Sequence, residues 1–206
     1  MSFDIKPLGR DLLDPAFDLA TEVFAAQSTV HRALGIELDA YRAYLRAPFE
    51  AMVDEGLSLV ATHSSGTVVG CMIATDFHTC LTVKQTPLPF APLVALTTAL
   101  CKDYSKIRRS SPGTALLVDM GAVAPEAQAQ GIYSALRRAV HSRAITKGYH
   151  RVMGELSSAQ TQHVVLEKMG HKAVAEIAFD RFEWAGTKPF RNIHDPPKLI
   201  LSEGML

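Results

Sequence analysis

The sequence predicts one α/β domain: a mixed central β-sheet with parallel central strands, flanked by helices, with an extra helix inserted before the central strand. Three observations carry this reading. β-rich runs at 57–61 and 67–74 flank Ser64-Ser65-Gly66, the pattern of a hairpin. From residue 114 onward strand and helix patterns alternate, which calls for parallel pairing. Between these regions, residues 78–113 read as an inserted segment with a helix of their own. A chain of 206 residues fits a single domain spanning 1–206.

In chain order, Phe3, Ile5 and Leu8 suggest a short first strand. Asp14-Pro15 then opens a helix, with Asp as N-cap and Pro at the first helical position. Phe17, Ala20, Val23 and Phe24 share one face of it. A second helical region covers 37–55, kinked or split at Pro48, with Leu38, Tyr41, Leu45, Phe49, Met52 and Val53 as its stripe and Gly56 as its stop. In the inserted segment Pro87 and Pro89 precede a helix at 92–108, and 110–113 is a turn. The basic cluster Lys106, Arg108 and Arg109 is a solvated helix end or a phosphate contact. Strands follow at 114–123 and 151–156, helices at 131–147 and 159–169, a long strand at 172–184, and a short strand at 198–201 after a polar stretch.

Composition excludes several classes. Lys plus Arg equals Asp plus Glu, at 21 each, so nothing points to nucleic acid or a membrane surface. No uncharged run approaches the roughly 18 residues of a membrane span, and residues 1–8 lack a signal-like apolar core. Cys71, Cys80 and Cys101 are odd in number and far apart, with no CxxC pair or metal-ligand spacing. Reduced thiols, a cytoplasmic location and no metal are therefore expected.

The chemistry concentrates in 116–136. A buried strand ends at Val123, Pro125 stops it, and a turn at 126–130 feeds an amphipathic helix carrying Ile132, Leu136, Ala139, Val140 and Ala144 on one face. The first turn of such a helix offers free backbone N–H groups and the positive end of the dipole, which is an anion site. Ala129 and Gly131 are small enough to let a phosphate approach. The stretch is neither a P-loop, since no Gly-Lys-Ser/Thr follows, nor a three-glycine dinucleotide fingerprint.

Gln128-Ala-Gln-Gly131-Ile-Tyr133, after a strand ending Val123-Ala-Pro125, resembles the acyl-CoA-binding motif of the GNAT N-acetyltransferase superfamily, which reads Gln/Arg-x-x-Gly-x-Gly/Ala. It departs from that motif at Tyr133, where Gly or Ala is usual, and at Ala129, often Gly. Glu167-Lys-Met-Gly170-His171 resembles the Glu-Lys-x-Gly-Phe that closes the next helix in the family. A weaker likeness to arylalkylamine-type N-acyltransferases rests on Ala33-Leu-Gly35, on 56–61, on the inserted segment and on Phe190, His194 and Leu199. Gln27-Ser-Thr-Val30 stands where that subgroup carries Glu-Pro.

The resemblance implies the GNAT fold, acetyl-CoA as acyl donor, an amine acceptor and direct acetyl transfer, with the acyl-CoA motif at about 114–147. It allows a homodimer. It places Val123, Gln128, Ala129, Gln130, Gly131, Ile132, Tyr133, Ser134 and Ser158 along the cofactor, with an oxyanion donor near Val123. Asp119, a carboxylate between Val118 and Met120 in an apolar strand, is the first candidate base, and Glu155 the second. A structural role, satisfied by polar neighbours, is the alternative for both. The family's usual acid, a Tyr, falls at Leu166, leaving Tyr133, Ser158 and His163 as substitutes. His163 and Glu167, one helical turn apart, read as a solvated face. Tyr41, Phe49, Phe77 and Phe90 line an acceptor pocket or belong to the core. A longer acyl-CoA, or a non-catalytic CoA sensor or scaffold, are the competing functions.

Overall fold

A computed structural model describes residues 2–80, 86–102, 104 and 111–206. Lys106, Arg108 and Arg109 lie outside the described residues. One seven-stranded sheet, in the order β1-β2-β3-β4-β5-β7-β6, organises the chain. Its strands are β1 (Phe3–Pro7), β2 (Leu59–His63), β3 (Val68–Asp76), β4 (Ala115–Val123), β5 (Arg151–Leu156), β6 (Lys172–Ala178) and β7 (Lys198–Met205). Every neighbouring pair is antiparallel except β4 and β5. The helices are α1 (Leu13–Gln27), α2 (Thr29–Ala33), α3 (Leu38–Asp54), the single turn α4 (Phe77–Cys80), α5 (Ala91–Lys102), α6 (Ile132–Thr146) and α7 (Ala159–Gln162). A π-helical turn over His163–Lys168 continues α7.

The expected mixed sheet, its parallel centre and the inserted helix are all present, and several boundaries differ. Asp14 lies inside α1, because a 3-10 turn at Arg10–Leu12 precedes the helix and Leu12 takes the cap position. α3 runs unbroken through Pro48, held by its buried stripe of Tyr41, Leu45, Phe49, Met52 and Val53. β6 stops at Ala178, far short of 184, where a turn brings Phe179 inward to pack on Phe190. β7 is twice the expected length. Leu199, Ile200 and Leu201 are buried because the last strand threads between β5 and β6.

Two layers cover the sheet. α1 and α3 pack on one face, around Phe17, Phe49, Ile73 and Met120. α6 packs on the other, around Ile132, Leu136, Val140, Leu116 and Val118. Gly70, Gly121, Gly154 and Gly204 lie on four strands of that second face, and a Cβ at any of them would strike a side chain at 2.5–2.9 Å. Their smallness lets the side chains of α6 and of the turn after α7 sit directly on the backbone of the sheet.

The second face also holds three basic side chains, Arg137 and His171 buried and His141 half-buried. Arg137 is 1% exposed, and His141 and His171 stack at a centroid distance of 5.5 Å. Burial, then the Arg137 charge, lowers His141 to about 3 and His171 to about 4. On the α3 face burial alone lowers His31 to about 4. All three imidazoles are thus neutral in the folded state and titrate near 6.5 when unfolded. The sign follows from linkage: between pH 6.5 and about 4 the unfolded chain binds more protons, so stability is full above 6.5 and falls as the medium is acidified. The expected loss, of order 3 kcal/mol per buried imidazole at 1.36 kcal/mol per pH unit, is read by chemical denaturation at a series of pH values. His141→Gln should flatten the profile, and an unchanged slope would mean the imidazole is not held neutral.

Candidate functional site

The parallel ladder between β4 and β5 is short. Ala115–Val118 pair with 151–154, and there the pairing ends. Asp119–Val123 continue along β3 alone, while Glu155 and Leu156 pair only with β7. The sheet therefore opens into a wedge-shaped window beyond Val118 and Gly154. A β-bulge sits at its apex: Val118 opposes Ala74 and Met120 opposes Ile73, which leaves Asp119 as the extra residue. Bulges re-aim side chains next to functional sites. Here the bulge turns both Asp119 and Met120 toward the α3 face, and Gly121 then faces α6.

The window joins two chemically different faces. On the α3 and α5 side stand Asp119 and Glu155, the first residues past the last paired positions on each strand. Asp119 reaches solvent, yet the protein around its carboxyl is dense enough to push it up to about 6 by desolvation. Glu155, half-buried, is pushed up to about 8 by burial, reinforced by the charge of Asp119. The influence runs one way because the groups titrate in sequence. Glu155 is already neutral when Asp119 ionises, so only Glu155 feels a neighbouring charge. At pH 7 the pair carries one proton, held on Glu155.

Cys101 on α5 donates its thiol to Glu155 Oε1 at 3.9 Å, and burial together with that carboxylate pushes the thiol up to about 12. Tyr41 and Tyr44 on α3 both sense the Asp119 charge, and burial raises both phenols above their usual range. Phe90 stacks on Tyr44 at 4.1 Å and lies 6.2 Å from Tyr41. His31 touches Tyr41 at 4.6 Å and shares a 2.8 Å hydrogen bond with Ser28 Oγ. Of the four aromatics read from the sequence as pocket or core, Tyr41 and Phe90 are both buried in the cluster under α3, and Tyr41 senses the Asp119 charge. Phe49 packs on Phe17 in the core, and Phe77 lies in the cluster around Leu96 and Leu117.

The α6 side carries the helix start. α6 begins after Gly131, whose φ is +79°, and no side chain caps its first turn. Ala129 also adopts a left-handed conformation at φ 59°, a strained state for a residue with a Cβ and one that clusters at functional sites. A Cβ placed on Gly131 meets nothing within 4 Å, so the turn is open. Tyr133 does not plug it: the ring turns inward onto Gly121 of β4, within 2.6 Å of where a Cβ would stand. Ile132 is buried under the helix and Ser134 is half-buried.

The remaining motif residues are already engaged. Gln128 Nε2 donates to Val123 O and to Gln27 Oε1, both at 3.1 Å, fixing the turn to the end of β4. Val123 stays paired with Gly70. Gln130 bonds back to Glu126 O, and Ser158 caps α7 by accepting from Thr161 N at 3.1 Å. His163 Nδ1 and Glu167 Oε2 share an exposed hydrogen bond at 2.7 Å. A separate groove of about 480 Å³ beside the 124–126 turn is bordered by Asp18, Glu22 and Glu126, a lining that repels phosphate.

Of the residues read from the sequence, Asp119, Glu155 and the helix start meet at this window, and the structure adds Cys101, Tyr44, His31 and Arg137 to its surroundings. Cys101 and Tyr44 carry no motif and reach Glu155 and Asp119 only through packing of α5 and α3. Arg137 had a signal: it falls on the apolar face of α6, one turn after Tyr133.

No protein-family model matches the chain, and no curated protein matches it in sequence. Solved structures do match. The C-terminal condensation domain of Ebony, in complex with beta-alanyl-dopamine, superposes with a TM-score of 0.87 at 14% identity, covering 100% of both chains. Arylalkylamine N-acetyltransferase 2 from Aedes aegypti gives 0.84 at 15% identity, covering 100% of this chain and 99% of that one. The polyamine N-acetyltransferase of Drosophila melanogaster gives 0.75 at 15% identity with 100% of both chains covered. The chain has the fold of the GNAT acetyltransferases.

The one-way coupling is measurable. In Asp119→Asn, Glu155 should titrate below about 8, yet stay above the usual carboxylate range because its burial persists. In Glu155→Gln, Asp119 should remain near 6. Carboxyl carbon NMR reads both; a large fall of Asp119 in the second variant would show that the two share a charged state.

Proposed function

We propose that this protein is an acyl-CoA-dependent N-acetyltransferase that moves acetyl directly from acetyl-CoA to a small-molecule amine. The observation that carries the reading is the window itself. It has two carboxylates and aromatic rings on one face and an open, uncapped helix start on the other. Acetyl-CoA would lay its diphosphate on the N–H groups of 129–134, where the α6 dipole favours an anion, and pass its thioester into the window. The amine would sit beside Tyr44, the partly exposed ring that senses the Asp119 charge and favours a cationic or arylalkyl group.

Asp119 is the base in this reading. It is ionised at neutral pH, and it takes the proton that the nitrogen sheds as the C–N bond forms. Glu155, neutral at pH 7, keeps that corner from carrying two charges and lowers the repulsion that a second carboxylate would impose. Holding amine and thioester on the two sides of one opening supplies the rest by proximity. The structural neighbours named as arylalkylamine and polyamine N-acetyltransferases support this acceptor class. Beta-alanyl-dopamine, the amide bound by the Ebony domain, supports a second reading in which the donated acyl group is longer than acetyl.

Two measurements test the proposal. Acetyl-CoA should raise the melting temperature by mass action, and longer acyl-CoAs should raise it more if the second reading holds; no response to any CoA species favours a scaffold. With a responding amine, kcat should rise through about pH 6 as Asp119 ionises. Asp119→Asn should cut kcat by about 10²-fold with CoA binding intact, and an equal loss of folding and turnover would make the carboxylate structural.

A further inference from the structure

Tyr133 and Arg137 lie across the window on the face opposite the carboxylates. The Tyr133 ring rests over Gly121, on the free part of β4. Arg137 Nη1 donates to the Tyr133 hydroxyl at 3.2 Å, and Arg137 Nη2 lies 2.9 Å from where a Cβ on Gly154 would stand. Gly154 is the last β5 residue paired with β4. The phenol and guanidinium thus span from one edge of the opening to the other, at its apex.

Two features mark this pair as more than packing. Arg137 is 1% exposed, yet among the described residues no carboxylate pairs with it, and its Nε and Nη2 have no hydrogen-bond partner. A buried guanidinium satisfied by a single neutral oxygen is costly unless negative charge arrives. The Tyr133 oxygen accepts from Arg137, so its own proton is free to be donated, and among the described residues nothing accepts it.

Resting on the thioester reading above, we propose that Tyr133 protonates the departing thiolate and that Arg137 is the positioning residue that holds the hydroxyl at the window. As the amine nitrogen bonds to the carbonyl carbon, the C–S bond breaks and its electron pair goes to sulfur. The Tyr133 proton moves to that sulfur, giving the free thiol. The phenolate left behind sits against the Arg137 guanidinium until water reprotonates it. The proton from nitrogen leaves on the other face through Asp119, so both proton transfers run without the groups meeting.

The test varies the leaving group. Tyr133→Phe keeps the ring on Gly121 and removes only the hydroxyl. Its turnover, relative to wild type, is compared on acetyl-CoA and S-acetyl-N-acetylcysteamine, whose alkyl thiolates need a proton, and on S-phenyl thioacetate, whose thiolate leaves without one. The expected result is a loss of kcat of about 10²-fold on both alkyl thioesters, with KM unchanged, and a rate near wild type on the aryl thioester. Arg137→Gln should show the same selectivity where it folds. Equal loss on all donors, or no loss on acetyl-CoA, overturns the assignment while leaving the thioester reading standing. A wild-type protein that turns over none of these donors overturns both.

Discussion

The structure depends on where one ladder stops. β4 and β5 pair in parallel only as far as Val118 and Gly154. The physical cause is the extra residue at Asp119, which takes β4 out of step with β3 and twists it away from β5. Had the ladder continued, the sheet would be a closed partition and its two faces would share no chemistry. Because it stops, each face contributes to a single opening. The bulge that opens the window also turns Asp119 into it, so the opening and the placement of the carboxylate have one origin.

The two faces suit opposite charges. The α3 and α5 face gathers carboxylates, phenols and a thiol whose burial favours their neutral forms, and the graded environment separates Asp119 near 6 from Glu155 near 8. Two like groups in one cleft thereby acquire different protonation states at neutral pH, which is how paired carboxylates divide roles. The α6 face gathers a helix start, a guanidinium and neutral imidazoles, and it contains no acid against Arg137 among the described residues. Under the proposed function, a negatively charged carrier and a positively charged acceptor would each meet complementary surroundings across the opening.

The arrangement has a structural cost. Arg137, His141 and His171 occupy the same layer as the apolar seam of α6, and glycines at 154 and 204 make room for them. Leu or Ile at these positions would pack a conventional helix-on-sheet interface with no polar atoms to satisfy. The α6 seam meets that demand at Ile132, Leu136 and Val140 and departs from it at 133, 137 and 141, the positions aligned with the window and the ladder below it. Stability is thus concentrated in one stripe of the helix, and polar groups in the other.

Local pattern settled much of this protein. The strand–turn–helix at 114–147 was legible because Pro125 cannot extend a strand ladder and Gly131 readily takes the left-handed turn that opens α6, and the hairpin and α3 were legible because their apolar residues keep a fixed period. Asp119 stood out as a charge inside an apolar strand. What sequence could not supply depends on contacts between distant residues. The threading of β7 between β5 and β6 is a pairing choice, and 198–205 would fit any exposed edge by pattern. Cys101 meets Glu155 across 54 positions, and Tyr133 turns inward only because Gly121 leaves space on a different strand. A repeating pattern fixes which face of an element is buried, while the partner waiting on that face is fixed only when the chain folds.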